Sequence, residues 1–279
     1  MLRTFARSFL LCCGLLAGAP GFAAEPILPN LWDPKERMPK PDLGEVERLR
    51  FITTTEFPPF NFIDETGRLS GFHVDLARAI CAELAITDRC QIQALPWDEH
   101  RQALEDGEGE ALLAGLAVTE ENRRTLAFSR PYMVFPARFM AQRTDLVEPT
   151  AENLAGRTVG VMAGSAHERM LRDLFPGVTV QGFDDFEAML AAVQTGMIPL
   201  AFGDGMQISF WLGESESANC CSFVGGPFIA PEYLGQGLAV AVPLDQPVLR
   251  QAIDYALHQI SAKGTFAELY LRYFPIGFF

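Results

Sequence analysis

Residues 110–140 read E-A-L-L-A-G-L-A-V-T-E-E-N-R-R-T-L-A-F-S-R-P-Y-M-V-F-P-A-R-F-M. The apolar run 111–116 has the length and composition of a buried strand. Thr119, with Asn122 just beyond it, can open a helical turn, its hydroxyl accepting an early orphan N–H. Residues 134–142 are largely apolar and do not alternate, which predicts a second buried strand carrying the chain to another part of the fold. A strand that ends at a helix N-terminus presents free backbone donors to a ligand. One segment therefore predicts both half of a binding site and a hinge.

Outward from it, the same grammar repeats in two blocks. Before it lie strands at 49–55 and 91–95 and helices at 74–84 and 97–106. After it come strands at 158–162, 178–181 and 198–202 with helices at 166–175, 186–194 and 206–212. A crossing strand at 235–242 and helices at 248–261 and 265–273 close the chain. Strand–helix alternation in two blocks predicts two α/β lobes with mainly parallel sheets. Ligands of such sheets sit beyond the carboxyl ends of the strands. Residues 114–117, 162–165 and 203–204 occupy those ends. The crossing runs predict a discontinuous first lobe, 48–137 with 237–279, and a second lobe, 138–236.

The N-terminus has its own signature. Arg3 and Arg7 precede an apolar stretch, and small residues follow through Ala24. That predicts a signal peptide over 1–24, cut after Ala23 or Ala24, because the apolar run is too short to span a bilayer. Five prolines in residues 25–47 predict an extended arm rather than a core element. Without Arg3 and Arg7, 20 basic side chains face 35 acidic ones, a net charge of −15. Such a surface repels nucleic acid.

Cys12 and Cys13 leave with the signal peptide. Cys81, Cys90, Cys220 and Cys221 allow three pairings, and an oxidising compartment favours bonding. Cys81 and Cys90 flank a short helix-to-strand turn. For the adjacent Cys220 and Cys221, a vicinal bond and two free thiols are both open.

Five motifs in order carry a resemblance. They are F-P-P-F with G-R-L-S-G-F-H-V-D-L-A (57–60, 67–77), G-L-A-V-T followed by Arg123 and F-S (115–129), V-G-V-M-A-G-S (159–165), F-G-D (202–204) and K-G-T-F-A-E-L-Y-L-R-Y-F (263–274). Together they resemble the periplasmic solute-binding proteins of amino-acid ABC transporters, family 3, the polar-amino-acid type. The resemblance implies a type II periplasmic-binding-protein fold, two lobes joined by two crossing strands and closing on a ligand. It also implies a Cys81–Cys90 bond, a transporter permease as partner and a monomer in the periplasm.

The candidate ligand set it implies is Phe57, Phe60, Glu56, Gly115, Ala117, Asn122, Ser165 and Asp204. Phe57 corresponds to a stacking aromatic, Ser165 to a hydroxyl beside the ligand carboxylate, and Asp204 to the acid that pairs with the ligand's amino group. Plainer readings stand beside these: core for Phe57, helix cap for Ser165, turn residue for Asp204. The chain also departs from the pattern. Asn122 stands where members usually carry an arginine that grips the carboxylate, Ala117 lacks a hydroxyl, and Thr54 replaces an acid, with Glu56 the nearest carboxylate. Arg123 and Arg124 lie one and two helical positions away, about 100° per residue, and so face outward. The expected ligand thus has an amine and an apolar part, and no required carboxylate, unless Arg123 swings in.

No catalytic residue, metal ligand or cofactor is expected. Of the four histidines, only His167 falls near the predicted cleft. Two competing readings are an enzyme similar to the periplasmic cyclohexadienyl dehydratases, with Glu56 and Asp204 as candidate acids, and an accessory or sensory protein.

Overall fold

A computed structural model describes residues 31–279 except 34, 45, 215, 216 and 218. The expected signal peptide and the first residues of the arm lie outside the described residues.

Two five-stranded sheets organise the chain. The first runs Cys90–Ala94, Leu49–Thr53, Ala111–Leu112, Ala241–Pro243, Leu126–Phe128. Its first three strands are parallel, and Ala241–Pro243 is antiparallel to both neighbours. The second runs Thr179–Phe183, Thr158–Met162, Leu200–Asp204, Ala137–Gln142, Cys221–Phe228. There too three parallel strands are extended by an antiparallel pair.

Alternation along the strands explains why both faces of each sheet are covered. Leu49, Phe51, Ala111 and Leu113 enter one core together with helices Phe72–Leu84, Pro247–Ala262 and Thr265–Tyr273. Ile52, Leu112 and Ala114 enter another, under helix His100–Glu105. In the second sheet Ala137, Phe139 and Phe202 point one way, Met140 and Ala201 the other.

The chain leaves the first sheet after Phe128, bridges Met133 to Leu238, and enters the second at Ala137. It returns past Leu238 into Ala241–Pro243. A short hairpin sheet of Glu56–Phe57, Asn61–Ile63 and Leu69–Ser70 sits beside the first sheet's strand ends.

Three departures from the sequence expectation matter for how the lobes are built. Cys221–Phe228, in a stretch to which the sequence assigned no element, is a strand; its Gly-Gly-Pro at 225–227 forms an irregularity in the register against Ala137–Gln142. The crossing runs 134–142 and 235–242 form strands only at Ala137–Gln142 and Ala241–Pro243, besides the single bridge at Leu238.

The arm is the third difference. Trp32 and Leu43 are buried in the first core. Trp32 is held between His258, edge-on at 6.0 Å, and the Arg130 guanidinium at 5.4 Å. Proline spacing shows extension, but not what an extended segment lies against.

Cys81 is bonded to Cys90, and Cys220 to Cys221, whose Cα atoms are 3.7 Å apart. The open choice at 220–221 is thus a vicinal disulfide.

Candidate ligand-binding site

The expected residues fall into two sets, one on each sheet. On the first, strand Leu49–Thr53 ends into Thr54, Glu56 and Phe57, and strand Ala111–Leu112 runs on to Gly115. Together with Trp97 and Ala114 they line a cavity of about 270 Å³. Gly115 has φ +86, and a Cβ there would come within 2.8 Å of the Phe57 ring. Only glycine lets the loop pass beneath that ring without strain. Phe57 is half-buried and stacks on Phe60 at 4.7 Å. Phe60 is fully buried among Phe72, His73, Phe135 and Phe274. It backs Phe57 and does not reach the cavity. Glu56 is exposed at the cavity edge.

Sequence reasoning passed over Trp97, read only as a helix residue. Its indole is 50% exposed and borders the cavity. An aromatic directly after a strand end, following Pro96, was the available signal. His100 fixes this turn: its Nε2 faces the carbonyl oxygens of Thr53 at 3.1 Å and Leu95 at 3.0 Å.

Asn122 opens a 3₁₀ turn whose first N–H is accepted by Thr119 Oγ1 at 3.1 Å, as the sequence predicted. Its side chain is nearly buried and already committed. Nδ2 donates to the carbonyl of Ala117 at 2.8 Å, and Oδ1 accepts from Arg101 Nη2 at 2.6 Å. Ala117 itself is exposed, with its carbonyl taken. Arg123 donates to Gln236 Oε1 at 2.9 Å and lies over Phe128.

On the second sheet, Ser165 caps helix Ala166–Leu174. Its hydroxyl accepts from Glu168 N–H at 3.1 Å and donates to the Met162 carbonyl at 2.7 Å. Glu168 reaches back to Gly164 N–H at 2.7 Å, so this helix start is capped from both sides. Asp204 caps helix Gly205–Gly213 by accepting from Gln207 N–H at 2.9 Å. Burial pushes the Asp204 carboxyl up from its ordinary value, although backbone N–H donation and neighbouring His167 pull the other way. Burial pushes His167 down, and Asp204 opposes that shift. A partly desolvated acid beside a neutral imidazole gains most from an incoming cation.

Paired lobes presenting strand ends and helix starts, joined by two crossing segments, form the fold of periplasmic binding proteins. The chain belongs to the bacterial extracellular solute-binding proteins, family 3, whose model matches residues 49–276. The arginine-binding periplasmic protein of Mannheimia haemolytica is 29% identical over 220 residues, 78% of this chain and 88% of that one. ABC transporter arginine-binding protein 1 of Escherichia coli K12 is 26% identical over 229 residues, 82% and 91% of the two chains. Among solved structures, the unliganded, open L-cystine solute receptor of Neisseria gonorrhoeae shares the fold with a TM-score of 0.71 at 18% identity, covering 83% and 94%. The chain is thus an exported solute-binding protein with a small-molecule ligand, of the kind that closes two lobes for ABC-type uptake.

Proposed function

We propose that this protein is the periplasmic receptor of an ABC importer, and that its ligand is a small cationic, amino-acid-like or amine solute. Residues 48–137 with 237–279 act as one lobe and 138–236 as the other. It works as a monomer, captures the solute between the lobes and presents it to a permease, without chemical turnover. The observation that carries this reading is Asp204, a carboxylate held at a strand end and short of solvent. An ammonium, amidinium or guanidinium group docked on it restores the lost solvation as a charge-assisted hydrogen bond. Phe57 and Trp97 supply the apolar walls for the rest of the ligand. The arginine-binding relatives support the same polarity.

The test is calorimetry on refolded, ligand-free protein with L-arginine, L-lysine, L-histidine, agmatine and L-glutamine. Cationic members of the panel should bind, and Asp204→Asn should weaken them roughly ten- to a hundredfold. Binding indifferent to that substitution would remove Asp204 from the site. An ancestral cyclohexadienyl dehydratase shares the fold, with a TM-score of 0.68 at 19% identity. Turnover of prephenate or arogenate by the purified protein is the result that would replace the receptor reading with the enzyme one.

A further inference from the structure

We infer that Arg101, oriented by Asn122 and Thr125, is the anion-binding group of the ligand site and receives a carboxylate of the ligand; this rests on the receptor reading above. Position 122, taken alone, removes the fixed positive charge from the site. The fold returns one from a neighbouring element.

The guanidinium is held by neutral groups only. Nη2 donates to Asn122 Oδ1 at 2.6 Å and Nη1 to Thr125 Oγ1 at 2.9 Å. Among the described residues no carboxylate lies within ion-pairing distance of it. A guanidinium carries more donors than those two bonds use. The charge is therefore fixed in place, un-neutralised and still able to donate. The sense of the Asn122 amide is set from behind, because its Nδ2 is committed to the Ala117 carbonyl. Its oxygen has one direction left, toward Arg101.

Location completes the case. Arg101 lies one helical turn after Trp97, so the two share a helix face. Arg101, on the exposed side of its helix, lines a cavity of about 220 Å³ with Trp97, Asp98 and Leu116; the Asp98 carboxylate makes no ion pair with it, and Trp97 also borders the cavity of Glu56, Phe57 and Gly115. The indole is a shared wall, and the loop 115–117 runs from beneath Phe57 to the carbonyl that orients Asn122. With the acid Asp204 on one lobe and a fixed guanidinium on the other, closure places opposite charges on one ligand. That pattern selects a ligand carrying both a cationic group and a carboxylate rather than a bare amine.

Two other arginines are worse placed. Arg123 lines neither cavity and is turned to Gln236. Arg138 is buried, with its guanidinium on carbonyls and over Phe223.

The probes are L-arginine, L-argininamide and agmatine, the last two lacking the carboxylate. Calorimetry should show L-arginine binding at least tenfold tighter than either. Arg101→Gln should weaken L-arginine roughly ten- to a hundredfold and leave agmatine within about twofold. Asn122→Ala, which lets the guanidinium drift, should give the same split at smaller size. It also keeps the test open if Arg101→Gln fails to fold. Arg123→Gln should change neither. Equal affinity for L-arginine and agmatine, or a loss on Arg123→Gln with none on Arg101→Gln, overturns the assignment alone. Binding of none of the three by folded protein overturns the receptor reading and the assignment with it.

Discussion

At the residue scale, the most consequential side chain away from the ligand set is His73. The G-F-H-V-D-L motif puts it in the first turn of helix Phe72–Leu84, and the fold seals it among Phe57, Phe60, Phe72 and Tyr132. Its Nε2 lies 2.7 Å from the Tyr132 hydroxyl. Burial lowers its pKa from 6.5 to about 3. In that window the unfolded chain binds the proton and the folded one does not. Stability is thus full above pH 6.5 and lost as pH falls toward 3, by roughly 5 kcal/mol in all at ~1.4 kcal/mol per unit. His73→Gln keeps a hydrogen-bonding group and removes the titration. Melting temperature measured from about pH 4 to 7 should fall less steeply in the variant than in the parent. Parallel curves would assign the acid lability to another group.

At the element scale, the N-terminal arm behaves as part of the first core. Arg130 ties it down two ways: its terminal guanidinium nitrogens meet Glu36, at 2.5 and 2.7 Å, and the cation lies over Trp32, while its own backbone N–H, donated to Asp254 Oδ1 at 2.7 Å, anchors Arg130 itself. His258 Nε2 holds the Asp33 carbonyl at 3.1 Å. The exposed ion pair by itself adds little, so burial of Trp32 contributes more to holding the arm. Truncating a buried tryptophan typically costs ~3–5 kcal/mol. Trp32→Ala should therefore lower the unfolding free energy by that order in a denaturant titration. A change below about 0.5 kcal/mol, the scale of ordinary surface substitutions, would mean the arm merely rests on the surface. Helices shifted by a residue or two at their ends, such as Gly205–Gly213 against the expected 206–212, change none of this.

At the scale of the whole molecule, the two sheets share a third connection besides the crossing segments. Arg138, on the strand that enters the second sheet, donates to the carbonyls of Phe278 at 3.1 Å and Gly225 at 3.0 Å. Phe278 belongs to the core of the first sheet, while Ile276 packs against the core of the second. Gly205 completes the joint: a Cβ there would sit 2.8 Å from Arg138 Cγ and 2.9 Å from the Pro136 carbonyl. Burial lowers the Arg138 pKa to about 10, and among the described residues no carboxylate pairs with it. Strand alternation sets Arg138 and Gly203 on one face of the sheet and Ala137 and Asp204 on the other. The C-terminal tail therefore fastens behind the face that carries Asp204. Arg138→Met would leave two carbonyls without their donor, at ~1–3 kcal/mol each if they stay buried. Amide exchange at 274–279 should speed up in that variant while the Phe72–Leu84 helix stays protected. Unchanged exchange at the tail would show that its apolar contacts alone hold it.

Much of the architecture was legible in the sequence, because hydrophobic period and turn residues are local signals. The two alternating blocks, the apolar crossing run at 134–142, the Thr119 bond to an early N–H of its turn and the cap at Ser165 could all be read along the chain, whereas Asp204 read as a ligand acid or a turn residue and is a helix cap. Gly115 and Asp204 could also be read as occupants of strand ends. What the sequence could not show is which distant groups a side chain meets. Asn122 read as an empty clamp, since nothing local reveals that Arg101, 21 positions earlier, comes to its oxygen. Trp32 read as part of an extended arm outside the core, because its partners Arg130 and His258 lie about a hundred and more than two hundred residues away. Phe60 read as a ligand contact alongside Phe57 of the same motif, yet packing buries it completely. Strand and helix follow from neighbours in the chain; charge placement and burial are set by long-range contacts, and only the folded chain decides those.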